Sequence, residues 1–158
     1  MLFWMLSACL MQETVEKDFP NILEPLEDIR VGLPEGDGYP EDVNVMSQDG
    51  DEYAWVHVRG YLHASLEDAW TALRNDLVYV NQRTVKEYTV EEVDSDIYDY
   101  VYLVDNEVQD LVTVEFTNEW RHVGNLNDKG EVSDVTVRWQ KIEGTDFIQL
   151  MEGSVEII

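Results

Sequence analysis

From residue 85 onward the chain is written almost entirely in period two. Tyr98, Tyr100 and Tyr102 share one parity of a stretch at 97–104. Val112, Val114, Phe116, Asn118 and Trp120 share one side of a longer stretch at 111–123, and Val135, Val137 and Trp139 one side of 132–142. Residues 85–93 and 147–158 also read as extended. Successive side chains of a strand leave opposite faces, so each stretch carries one face rich in rings and branched apolar groups. The runs at 124–130, with Gly124 and Gly130, and at Gly144-Thr145 are turn sequences between them. Successive long strands joined by short turns predict an antiparallel meander. A sheet with aromatics on one side must cover that side with a helix or a ligand.

The residues ahead of this block are different. Residues 55–62 alternate, with Val56, Val58 and Leu62 sharing one face, which predicts a first strand. Ser65-Leu66-Glu67-Asp68 follows, an N-cap serine with an acid at the third helical position. Leu66, Ala69, Trp70 and Leu73 then recur at helical spacing. Asn75-Asp76 interrupts this helix, and residues 77–82 suit a second short one. The predicted order is strand, two short helices, then at least five antiparallel strands.

That order, with His63-Ala64-Ser65-Leu66-Glu67-Asp68-Ala69-Trp70-Thr71-Ala72-Leu73, resembles the opening of the START-like (SRPBCC, polyketide-cyclase) superfamily. Arg138-Trp139-Gln140-Lys141-Ile142-Glu143-Gly144-Thr145 and Met151-Glu152-Gly153-Ser154 resemble its later strands. The resemblance covers about residues 53–158. It implies an α+β helix-grip fold: a curved antiparallel sheet, two short helices after the first strand, and a cavity for an apolar molecule. The family normally adds one more strand and a long C-terminal helix that closes the cavity. This chain reaches Ile158 inside a predicted strand without them. The expectation is a truncated sequence, or a sheet covered by the N-terminal segment or by a second copy.

Charge narrows the partners. Among 158 residues, 10 Lys and Arg face 34 Asp and Glu, a net charge of −24. Such a surface repels nucleic acid and anionic headgroups. The excess suits solubility. The acidic groups Glu35, Asp37, Glu41, Asp42 and Asp49, Asp51, Glu52 lack the spacing of a calcium loop, so no metal is expected there. One cysteine excludes an intrachain disulfide. That cysteine with the scattered His57, His63 and His122 does not make a zinc site by itself.

The first eleven residues are almost wholly apolar, too few for the ~20 that span a bilayer. Within them Leu6-Ser7-Ala8-Cys9 resembles the lipobox of bacterial lipoproteins. In that family the signal is cut before the cysteine, and the thiol receives a diacylglycerol. The reading divides the chain into a signal at 1–8, an acidic linker at 9–52 and the START-like domain at 53–158. No basic n-region precedes the apolar run, which fits a translation start further upstream. The linker stretch carries all four prolines, Pro20, Pro25, Pro34 and Pro40, and its part at 32–52 reads as loop. The resemblance implies lipid attachment at Cys9 and an envelope location facing the periplasm or exterior. A cytoplasmic protein is the alternative if the signal reading fails.

No Ser-His-Asp order, phosphate loop or H-E-x-x-H run is present. The predicted ligand-binding residues are Trp70, Tyr100, Tyr102, Phe116, Asn118, Trp120 and Trp139. The same residues also suit a plain core. The leading expectation is an envelope-anchored protein that binds a lipid or other apolar molecule, with no catalysis and no cofactor. A cyclase or hydratase would need Asn118 or His122 as its polar group. A non-catalytic interaction module would use an open sheet to receive a partner segment.

Overall fold

The computed structural model describes residues 31–158, apart from 37, 50–53, 76, 77, 79, 81–83, 110 and 111. Residues Val31–Ile158 belong to one compact unit. Its elements are β1 (Val43–Asp49), β2 (Ala54–Gly60), α1 (Leu66–Ala72), β3 (Val85–Val93), β4 (Tyr100–Gln109), β5 (Thr113–Leu126), β6 (Val132–Gly144) and β7 (Glu152–Ile157).

β3 to β7 form one antiparallel sheet in the order β3-β4-β5-β6-β7, the meander that the alternating pattern predicts. β5 and β6 are its longest strands, at 14 and 13 residues. Their turn is built on Asn127, whose side-chain Oδ1 accepts from the backbone N–H of Lys129 and of Glu131. Gly130 takes the positive φ of 79° that this turn demands.

The helix-grip expectation is corrected. Among the described residues the unit holds seven strands and a single seven-residue helix, so it is nearly all-β rather than α+β. α1 starts where its sequence says. Ser65 is the N-cap, its hydroxyl accepting from the Asp68 N–H at 3.1 Å. The helix ends at Ala72, and the chain turns there with the Asn75 N–H donating to the Ala72 carbonyl at 2.9 Å. The second predicted helix, at 77–82, lies mostly outside the described residues.

The first strand is also placed differently. β2 pairs with β1, which falls in the stretch read as loop, and the two make a separate two-stranded sheet. Val45 stands opposite Val58, and Ser47 opposite Val56. Val56, Val58 and Leu62, the apolar side of that alternation, are 65, 52 and 57% exposed. The other side, with Trp55, His57 and Arg59, is the half-buried one. Arg59 and Asn44 donate from their side chains to the carbonyls of Val31 and Gly32. Alternation announced a strand correctly and left open which parity is inward.

The remaining shifts are local. β4 begins at Tyr100, after a turn in which the Ser95 hydroxyl accepts from the N–H groups of Ile97 and Tyr98. β5 runs on through Leu126, past the predicted turn at Gly124. β7 begins only at Glu152, and Phe147 is 73% exposed.

Candidate functional site

Register decides what each face of the large sheet carries. Tyr102, Trp120, Trp139 and Gly153 are successive cross-strand partners from β4 to β7. The neighbouring rows on the same side are Tyr100, His122, Val137 and Val155, then Val104, Asn118 and Lys141, then Asn106, Phe116 and Gly144. Six of the seven predicted ligand-binding residues therefore share one face. The seventh, Trp70, reaches that face from α1: its ring lies 5.4 Å from the Tyr100 ring.

The rings form two groups. Tyr100 stacks parallel on Tyr102 at 6.4 Å, and Tyr102 meets His122 edge-on at 5.4 Å. Arg74, just beyond α1, sits 5.3 Å above the Tyr100 ring and donates to its hydroxyl at 3.2 Å. Trp120 and Trp139 stack at 4.8 Å. Two glycines allow this packing. A Cβ on Gly124 would lie 3.3 Å from Trp70, and one on Gly153 would lie 2.1 Å from Trp139. Tyr102 and Val104 are core, whereas Trp70, Tyr100, Phe116, Trp120 and Trp139 are half-buried. The aromatic face is thus a core at its centre and a partly open surface around it.

Two polar groups stand among these rings. Asn118 is buried, its Nδ2 donating to Met151 Sδ at 3.6 Å. Its Oδ1 is buried with no hydrogen-bond partner among the described residues. His122 is 1% exposed, and its Nδ1–H donates to the Tyr100 carbonyl at 3.3 Å. Burial pulls the His122 pKa down to about 4, against a smaller opposing effect of that hydrogen bond. At neutral pH the ring is uncharged and inside the sheet packing, which suits a structural group better than an acid or base.

The opposite face was missed in the sequence reading. Glu119, Arg121 and Val123 of β5 alternate with the aromatic row, as do Thr136, Arg138 and Gln140 of β6. Alternating polar residues on long strands read by default as a solvated face. Instead Glu119, Arg121 and Gln140 are buried, and Glu119 Oε1 accepts from Arg121 Nε at 2.6 Å with both side chains 1–2% exposed. The signal lay in the sequence as opposite charges two residues apart on one parity of β5. Tyr98 joins this face: Arg121 lies 5.7 Å over its ring. Its expected alignment with Tyr100 and Tyr102 fails because the Ser95 turn breaks the alternation before β4.

A cleft of about 220 Å³ opens on this charged face, lined by Tyr98, Arg121, Val123, Thr136 and Arg138. Beside it Gln140 stands opposite Glu152 of β7. The Glu152 carboxylate oxygens and the Gln140 Nε2 are buried without hydrogen-bond partners among the described residues. Burial pushes the Glu152 pKa up.

Cys9 lies outside the described residues. Among the described residues no three His, Cys, Asp or Glu side chains gather as a metal site, and no helix is long and apolar enough to cross a membrane. Comparison of the chain with protein families, with curated proteins and with solved structures found no match.

Proposed function

We propose that the protein binds a small apolar molecule on the aromatic face of its large sheet, without catalysis. One observation carries this reading. Trp70, Tyr100, Phe116, Trp120 and Trp139 gather on one face and stay half-buried, and on that face the buried Asn118, between Phe116 and Trp120 along β5, has an Oδ1 with no hydrogen-bond partner among the described residues. A half-buried aromatic face with one such acceptor on it has the composition of a small-molecule site: apolar walls with a few polar groups that orient the ligand. An unpartnered buried carbonyl costs roughly 1–3 kcal/mol, which a ligand hydroxyl or amide would recover. A lipid or ring-bearing molecule with one donor suits the arrangement.

Attachment to a bacterial membrane through a diacylglycerol on Cys9 belongs to the same proposal and rests on the Leu6-Ser7-Ala8-Cys9 sequence alone. Acyl chains contribute about 0.8 kcal/mol per buried CH₂, so two or three would hold the protein firmly at the envelope.

Native mass spectrometry of protein purified without detergent tests the binding. An apolar molecule released by solvent extraction, whose re-addition quenches tryptophan fluorescence in the wild type and not in Trp139→Ala, supports it. Protein that carries no extractable molecule and whose fluorescence is indifferent to fatty acids, sterols and aromatic probes sinks it. The anchor is tested separately, by the mass of the N-terminal peptide after expression in a bacterium.

A further inference from the structure

We propose that the cleft on the charged face is a second binding site, for a small oxyanion: a carboxylate or a phosphate group. It lies on the opposite side of the sheet from the aromatic face and stands or falls without the apolar-ligand reading.

The argument begins with register. Arg121 and Arg138 are direct cross-strand partners, so two guanidinium groups leave the same face of β5 and β6 side by side. The planar guanidinium fork matches the paired oxygens of a carboxylate or phosphate, and an oxyanion lying in the cleft between the two would make charge-assisted contacts to them.

Arg121 is held ready. Its Nε donates to Glu119 at 2.6 Å, and its guanidinium stacks at 5.7 Å over Tyr98. A side chain fixed before binding loses little rotamer freedom on binding. Arg138 forms the half-buried opposite wall, the Thr136 hydroxyl supplies a neutral donor, and Val123 and Tyr98 supply apolar edges. The cleft of about 220 Å³ is smaller than the roughly 300–1,000 Å³ that hold drug-sized ligands, so it suits a group of a few heavy atoms. Gln140, next along the same face of β6, is buried with its Nε2 unpartnered among the described residues, a further donor beside the arginines.

The test is a titration of the full chain with inorganic phosphate and, separately, with acetate. It follows the side-chain Nε–H resonances of Arg121 and Arg138 by NMR. Saturable shifts of both arginines in the millimolar range are expected. Saturation by acetate alone assigns a carboxylate, and by phosphate alone a phosphate group. Arg138→Gln weakens binding about tenfold or more, the scale of one lost hydrogen bond between charged groups. Thr136→Val weakens it less, and Lys129→Gln, the same charge change on the exposed turn, leaves it unaltered. Circular dichroism of each variant confirms the sheet. Shifts that stay linear with both anions overturn the proposal. So does a Lys129→Gln variant that loses as much affinity as Arg138→Gln, because the effect would then be the field of the whole protein.

Discussion

Gly153 of β7 lies directly against the indole of Trp139 on β6. The two are cross-strand partners, and a Cβ on Gly153 would come within 2.1 Å of Trp139 Cζ2. The glycine is what lets Trp139 lie flat over β7 and stack on Trp120 at 4.8 Å. Gly153→Ala is therefore expected to displace the indole and destabilise the unit by about 2–3 kcal/mol, as overpacking does. Thermal melts read the loss. Near-ultraviolet circular dichroism reads the changed Trp120–Trp139 pair, which a loss of stability alone would leave intact in the folded protein.

The Glu119–Arg121 pair is buried to within 1–2% on both sides. Removing one partner leaves the other charge stranded in the packing, so Glu119→Gln is expected to cost about 3 kcal/mol or more. The double change Glu119→Leu, Arg121→Met removes both charges and is expected to cost less than that single one. Urea melts of wild type, Glu119→Leu, Arg121→Met and the double variant measure the coupling. A double variant that loses the sum of two large single effects would contradict this account of the pair.

His122 makes the unit sensitive to acid. Its folded pKa of about 4 lies below the ordinary value of 6.5. Between those values the unfolded chain takes up a proton that the folded one refuses. Stability from this group is present above pH 6.5 and is lost as pH falls toward 4. The full difference is on the order of 3 kcal/mol. His122→Gln is expected to remove this slope. Melting temperatures of wild type and variant, compared between pH 7 and pH 4, check it.

Glu152 runs the other way. Burial raises its folded pKa, so the folded state holds the carboxyl proton to higher pH than the unfolded state does. Stability associated with Glu152 is present below the unfolded carboxyl pKa and is lost as pH rises through the folded one. Its two buried oxygens have no hydrogen-bond partner among the described residues, so nothing there offsets the cost of ionising it. Glu152→Gln is accordingly expected to stabilise the unit at pH 7 and to do little at pH 4. A variant less stable than wild type at pH 7 would show that the carboxylate has a partner it needs.

Much of the large sheet was legible in the sequence because the alternation from residue 85 is long and carries rings on one parity. The aromatic face follows from that parity alone, and Ser65 with Asp68 announced α1. Other features were beyond that logic. β1 sits in a stretch where glycines and acids outweigh any pattern, and its pairing with β2 is a non-local choice. Alternation in β2 could not say whether the valines or the Trp55 side would be buried. The resemblance to a helix-grip opening rested on eleven residues around α1 and carried no information about the topology beyond it. On the charged face, Glu119 and Arg121 looked like solvated strand residues. Charge on alternate positions gives no measure of depth, so their burial and the cleft between the arginines emerge only with β5 and β6 in register.

The aromatic row and the arginine row are out of phase by one residue of chain. Trp120 and Arg121 are neighbours, as are Arg138 and Trp139, and each pair splits between the two faces. An insertion or deletion of a single residue inside β5 would exchange the two chemistries, turning charges into the ring packing and rings onto the arginine cleft. Only changes of length by two, or ones absorbed in irregular steps such as those the β5–β6 ladder makes at Thr117/Asn118 and Asn125/Leu126, leave both faces intact. Tolerated length variation is thereby confined to the turns, and the two surfaces are bound to be inherited together.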